Sequence, residues 1–338
     1  PIVHDGGNAF LEFEVKAADI KGGNAVVAVT KGGTVVWSWH LWFAPTYVLD
    51  KIPVTNHQKK IYNFTTETLG WKYTTWYGTT YSTPRTVKIK VEQDIANNGT
   101  KQETVITIIQ NPGNERNGYP TFYQWGRKDA FPGVSPTPEG LIITGIDYGQ
   151  PFESLYQHPE KFSINGYSSI WHKSITFDNE VGYGYYNLWS ADNFYDDAQT
   201  FNDNAVIKTI YDPSPAGFKM PASNAFTGFT SSGEEATETY KGWWNIEGDK
   251  DELTFKANHG WNFWTNDNKN STIFFFASGF TDPQTGKLDN RDVYGYYWTA
   301  TPYSDWFSPA FTFGKHIIMP KKYNYNRPFG FNVRPVSE

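Results

Sequence analysis

His40 sits among three tryptophans in WSWHLWF, residues 37–43, and is the side chain best placed by type to act as a base or a metal ligand. Side chains on a strand alternate faces. Trp37, Trp39, Leu41 and Phe43 therefore share one face, and Ser38, His40 and Trp42 share the other. Four large apolar groups mark the first face as core-facing, which leaves His40 a packing or hydrogen-bonding task. The chain has no cysteine, so disulfides, thiol nucleophiles and thiolate metal sites are excluded together. Two histidines four apart around a glutamate are absent, as is a phosphate-cradling glycine loop ending in Lys-Ser or Lys-Thr. GYGYYN at 182–187 begins like a dinucleotide fingerprint but has Asn187 in place of the third glycine. GYSSI at 166–170 lacks the closing glycine of a nucleophile elbow, with Ile170 there instead.

Oxygen ligands cluster in NDNKN (266–270) and DPQTGKLDNRD (282–292). Hard cations such as calcium prefer such groups, but neither stretch has a full loop with a terminal bidentate glutamate. Asn and Asp as turn formers explain both stretches more simply. The adjacent acids Asp196 and Asp197, or Glu234 and Glu235, do not make a glycosidase, because that chemistry needs carboxyls facing each other across a bond. The reading is therefore non-enzymatic, with no catalytic residues, no metal and no cofactor, calcium being the one cation weighed.

The elements that carry these residues read mostly as strands. NAVVAVT and TVVWSWHLWF flank TKGGT as a hairpin, preceded by the alternating AFLEFEV. RTVKIKVEQD and ETVITIIQ form a second hairpin around an Asn-Gly turn. Short helices are expected in ESLYQHPEKF (153–162), although Pro159 fits only near an end or a break, and in SNAFTGF, with Ser223 as N-cap. From residue 272 strands return in TIFFFASGF, YGYYWTAT, AFTFG and FGFNVRPV. The last three are expected to pair as antiparallel neighbours, burying Trp298, Phe311, Phe313, Phe331 and Val333.

Composition agrees with a strand-and-loop protein. The 338 residues include 14 Trp, 22 Tyr and 25 Phe beside 30 Gly and 20 Pro, and the net charge is -6. Nucleic acid is excluded as a partner, since phosphate binding needs a basic stripe. No apolar run reaches the length of a membrane span. PIVHDGGNAF has neither the basic start nor the apolar core of a signal peptide, so the sequence reads as a processed or truncated part of something longer. Trp243, Trp244, Trp261 and Trp264 lie in polar, Asn- and Gly-rich surroundings, where rings serve either as contact surfaces or as loop packing.

NAVVAVTKGGTVVWSWHLWF, FYQWGRKDAFPG, VIKTIYDPSPAGFKMP, GYYWTATP and FGFNVRPV together resemble the C-terminal module of fimbrillin-like cell-surface proteins of Bacteroidetes. The last three also resemble the Fibrobacter succinogenes major paralogous domain. The resemblance runs from about residue 8 to the end. It implies an α+β, strand- and loop-rich, C-type lectin-like domain over 37–338, with a hairpin insertion near 85–110. Residues 1–36 would be a short β unit ending a β-sandwich. It further implies an extracellular place on the bacterial surface or pilus, and adhesion to a host or bacterial glycan or protein. Other pilus subunits are further partners. Ser214 stands where the family often has cysteine, and the oxidase activity of the formylglycine-generating relatives does not carry over to a chain without cysteine. In such a domain the ligand would meet the loops PYSDWFSP (302–309) and KHIIMPKKYNYNRPF (315–329), through Tyr303, Trp306, Lys321, Lys322, Tyr323, Tyr325 and Arg327. Two other readings stay open: a structural pilus subunit working by strand exchange, and a polysaccharide-active enzyme.

Overall fold

A computed structural model describes residues 2–73, 85–94, 98–110, 118–133, 142–145, 156–164, 176–177, 180–181, 187–192, 201–303 and 307–338. Strands take up 44% and helix about 10%, so the fold is β-rich and the α+β, lectin-like expectation is corrected. The cause is local. The α-helix Glu252–Asn258 is only seven residues long; Asp251 caps it by accepting from the Thr254 amide at 2.7 Å, and His259 ends it at φ 53°. SNAFTGF yields only the 3-10 turn Thr227–Phe229. Ser223 caps nothing there, its hydroxyl instead accepting from the Asn202 amide at 2.9 Å. ESLYQHPEKF runs into the strand Lys161–Ile164, with 153–155 outside the described residues.

The chain divides into two compact units, one of Pro1–Lys72 with Tyr119–Glu338 and one of Tyr73–Gly118. In the larger, several small sheets surround an aromatic core. One sheet runs in the order Ala236–Thr237, Ile317–Asn326, Phe307–Gly314, Tyr294–Trp298. Another runs Phe131–Pro132, Thr121–Gln124, Gly330–Phe331, Phe280–Thr281, Leu288–Asp289, and a third Phe218–Lys219, Val336–Ser337, Ile61–Thr65, Lys51–Thr55. Phe275 lies at the centre, edge-on to Phe64, Phe263 and Phe311 at 6.3, 5.9 and 5.3 Å between ring centroids. Edge-to-face geometry is the favoured one for such rings, and each fully buried Phe contributes roughly 1.5–3 kcal/mol by leaving water.

The closing strands follow expectation in part. Tyr294–Trp298 pairs antiparallel with Phe307–Gly314, from Tyr294↔Gly314 to Trp298↔Ala310. Trp298, Phe311, Phe313, Phe331 and Val333 are all fully buried. FGFNVRPV meets Tyr294–Trp298 through a parallel bridge, Tyr297↔Asn332, and not as an antiparallel strand, while its Gly330–Phe331 lies between Thr121–Gln124 and Phe280–Thr281. The third place belongs to Ile317–Asn326, so the expected 315–329 loop is largely a ten-residue strand. Pro320 and the Lys321-Lys322 pair disguise it. The ladder shifts register between Ala310↔Lys322 and Thr312↔Met319, and such bulges admit a residue without an amide proton.

Gly23–Lys31 and Thr34–Phe43 form the first hairpin, turning at Gly32 and Gly33, both at positive φ. Its faces are reversed from expectation. Ser38 is fully buried, and Trp42 packs on the core with its indole N–H donating to the Trp71 carbonyl at 3.1 Å. Trp39 is 40% exposed. The surface beneath the hairpin presents Lys128 and Asp129 from the FYQWGRKDAFPG stretch, so the polar face is the one with partners there.

The smaller unit carries the second hairpin, Arg85–Glu92 paired with Glu103–Gln110, with Asn98 and Gly99 at φ 50° and 80° in its turn. Val87, Ile89, Val91, Ile106 and Ile108 share one face and are exposed. Lys90 on the opposite face bridges Glu92 at 3.1 Å and Glu103 at 2.6 Å. Among the described residues no helix is long and apolar enough to cross a membrane.

Candidate binding surface

Among the described residues, the strand Ile317–Asn326 pairs on its outer side with Ala236–Thr237 at Ile317 and Ile318, and no strand pairs with the rest of that side. Tyr323 near its far end is 43% exposed and stacks on Tyr303, centroids 4.5 Å apart at 29°. The Tyr303 amide donates to the Phe307 carbonyl at 3.1 Å, which closes the loop that presents its ring. Phe201 extends the stack, 6.4 Å from Tyr303 at 28°. The Lys321 ammonium stands 5.1 Å over Phe201 and 2.6 Å from Glu234. Lys322 stands 5.9 Å from the Tyr323 ring. Four of the sequence-proposed residues therefore meet in one ledge: Tyr303, Tyr323, Lys321 and Lys322.

The others do not join it. Tyr325 turns inward, its hydroxyl accepting from Thr312 at 3.0 Å and its ring edge-on to Phe331 at 4.9 Å; burial pushes its hydroxyl up to about 12. Arg327 is 1% exposed and lies over Trp125 at 4.3 Å, so it is part of the interior. Trp306 lies outside the described residues. Phe201 was missed, because one phenylalanine in a polar run carries no periodic signal.

The four loop tryptophans separate as well. Trp244 and Trp261 are core, while Trp243 is 42% exposed and stacks on Tyr240, 4.6 Å away at 16°. The 3-10 segment Glu238–Trp243 that holds this pair is pinned from below: Lys250 donates to the carbonyls of Lys241 at 2.9 Å and Trp244 at 2.7 Å. The Trp244 indole donates to the Ala236 carbonyl at 2.9 Å.

Two polar clusters lie under the first hairpin. Ser38 donates to Asp129 at 2.6 Å, Lys128 reaches both Ser38 and Asp129, and all three are buried. Burial lowers the Lys128 ammonium, and Asp129 opposes that effect. Ser38 and Lys128 thus share one acceptor, Asp129. His40 bridges Asn24 through Nε2 and Tyr123 through Nδ1, each at 2.8 Å. The Asn24 amide donates to the Gly70 carbonyl at 2.7 Å, which leaves its oxygen to accept from Nε2 and the Tyr123 hydroxyl to donate to Nδ1. His40 is thus neutral, lowered to about 4 chiefly by burial, with Asp129 opposing.

His40 and Asn24 also line a cavity of about 580 Å³ with Ile20, Val26, Phe43 and Tyr119. Among the described residues no group of three His, Asp or Glu side chains is placed to hold a metal. In the calcium-weighed stretch Asp282 accepts from the Gln284 and Thr285 amides, both at 2.8 Å, as a turn former does.

A family model described as a domain of unknown function (DUF8237) matches residues 244–336, which takes in the aromatic core strands and the Tyr303–Tyr323 ledge. No curated protein and no solved structure matches the chain.

Proposed function

We propose that this protein is a non-enzymatic binding module displayed outside the cell on a bacterial surface or pilus, and that it adheres to a glycan. The observation that carries the reading is the stack of exposed Tyr323 on half-buried Tyr303, bordered by Lys321 and Lys322. Rings held against each other lose little entropy on binding and offer flat apolar area, while the lysines supply donors for hydroxyl groups. The likeness of five ordered motifs to fimbrillin-like modules supports the surface location. The test is a glycan and host-protein array read with the wild type and with Tyr303→Ala/Tyr323→Ala. Loss of at least tenfold in affinity with an unchanged melting curve is expected. Undiminished binding by the double variant would remove the ledge from the account.

A structural pilus subunit is the second reading, and one observation favours it. Among the described residues Gly23–Lys31 pairs on one side only, and its nine-residue other edge is a template for a strand from another chain. Polymers that grow with concentration in sedimentation would support strand exchange, and a monomer throughout would set it aside.

A further inference from the structure

We infer that the Tyr240–Trp243 stack is a second contact site, and that together with the Tyr303–Tyr323 ledge it holds an internal stretch of a neutral polysaccharide along the outer side of Ile317–Asn326. This rests on the glycan-binding reading above and adds to it a second site, a ligand class and a mode of binding.

The two aromatic pairs are joined by contacts that follow one strand. Starting from the second pair, Glu238 in the Tyr240–Trp243 segment meets His316 at 3.0 Å. Thr237 and Ala236 then pair with Ile317 and Ile318. Glu234 meets Lys321 at 2.6 Å, and Lys321 covers Phe201 beside the ledge. From His316 to Tyr323 the strand advances seven residues, so the two contact points lie roughly 23 Å apart at about 3.3 Å per residue. That span suits several sugar rings in a chain and exceeds a single terminal sugar.

The geometry of each pair favours the face of a sugar ring. Tyr240 and Trp243 are 50% and 42% exposed although they stack on each other, so each keeps an outer surface for a ligand. Trp243 does not serve the core, since its neighbour Trp244 fills that role. The platform is also rigid, because Lys250 and the Trp244 indole fix its backbone.

Charge decides between neutral and acidic chains. Lys241 is held by Glu238 at 2.6 Å and Lys321 by Glu234 at 2.6 Å, so these two cations are matched by acids, and Lys322 beside Tyr323 does not by itself make a basic stripe. A polyanion needs an unmatched basic stripe. The paired groups instead offer both donors and acceptors to hydroxyls.

The test uses affinity electrophoresis in gels containing hydroxyethylcellulose, xylan, glucomannan or galactomannan, with heparin as the acidic control. Titration calorimetry then compares trisaccharides with octasaccharides of the retarding polymer. The wild type should be retarded by a neutral polymer and not by heparin. The octasaccharide should bind at least tenfold tighter than the trisaccharide, as two linked contacts predict. Trp243→Ala should abolish that length gain, and Trp243→Phe, which keeps a ring, should restore part of it. Binding unchanged in Trp243→Ala but lost in Tyr323→Ala would overturn the second site and leave the ledge standing. Binding unchanged in both variants would overturn both. Retardation by heparin alone, or by no polymer, would overturn the neutral-polysaccharide assignment. A protein ligand that depends on Tyr303 and Tyr323 would then place the ledge's specificity elsewhere.

Discussion

A histidine among tryptophans invites a catalytic reading, and at the residue scale His40 shows why partners decide. Its two nitrogens are both engaged, one giving to Asn24 and one taking from Tyr123. The sequence pointed to a packing or hydrogen-bonding role, because four large apolar groups beside it marked a core-facing strand. Its partners were not legible, since Asn24 and Tyr123 lie 16 and 83 residues away. A pH dependence follows. The folded state holds His40 at about 4, below the ordinary imidazole value of 6.5. Well above 6.5 the proton count is equal in both states and His40 has no effect on the slope. As pH falls from about 6.5 towards 4 the unfolded chain takes up a proton that the folded chain refuses, so stability drops, by up to ~3 kcal/mol in total. Urea midpoints of the wild type and His40→Gln at pH 7.5 and 4.5 measure this. The wild type should lose more stability than the variant over that interval, and equal losses would mean that His40 is not held neutral.

Alternation along 37–43 reveals two faces but not which one is inside, and this ambiguity belongs to the element scale. Counting apolar groups chose the wrong face, because the surface under the hairpin carries Lys128 and Asp129, polar groups that need partners more than rings do. Similarly, Ile317–Asn326 was hidden by Pro320 and two lysines, whose effect on the ladder is absorbed by register shifts that no local pattern announces. The hairpin turns, by contrast, were legible from Gly32-Gly33 and Asn98-Gly99, where positive φ requires those residue types. Paired substitutions test the hairpin orientation. Trp39→Ser should change stability by no more than about 0.5 kcal/mol, as exposed positions do. Trp42→Ala should cost up to ~3 kcal/mol, the lower end of the range for aromatic truncation in a core. Equal costs in chemical denaturation would contradict the assigned faces. In the sheet that contains Ile317–Asn326, Gly295→Ala would drive a methyl into the Phe313 ring, which is fully buried and cannot yield. Its melting temperature should fall by several degrees, in keeping with overpacking costs of ~1–3 kcal/mol.

For the whole molecule, aromatic content and short strands were legible as a strand-rich protein, whereas the helices expected from resemblance and local capping signals shrank to about 10% of the chain. The division into units has a testable consequence. Among the described residues, the members of the buried core cluster belong to residues 54–69 or 123–336, and none to 73–118. Lys72 and Tyr119, which flank that segment in sequence, line the same cavity, so their backbones are near enough for a short connection. Replacing residues 74–117 by a four-residue Gly-Ser linker should therefore leave the near-ultraviolet circular dichroism of the tryptophan-rich core intact. The melting temperature should move by no more than about 2–4 °C, the shift that 1 kcal/mol produces in a domain of this size class. A peptide of residues 73–118 should conversely lack cooperative unfolding, because a two-stranded hairpin whose Val and Ile face is exposed is marginal alone. Loss of the near-ultraviolet signal on excision would show instead that the core depends on the hairpin unit, and that the two units fold as one.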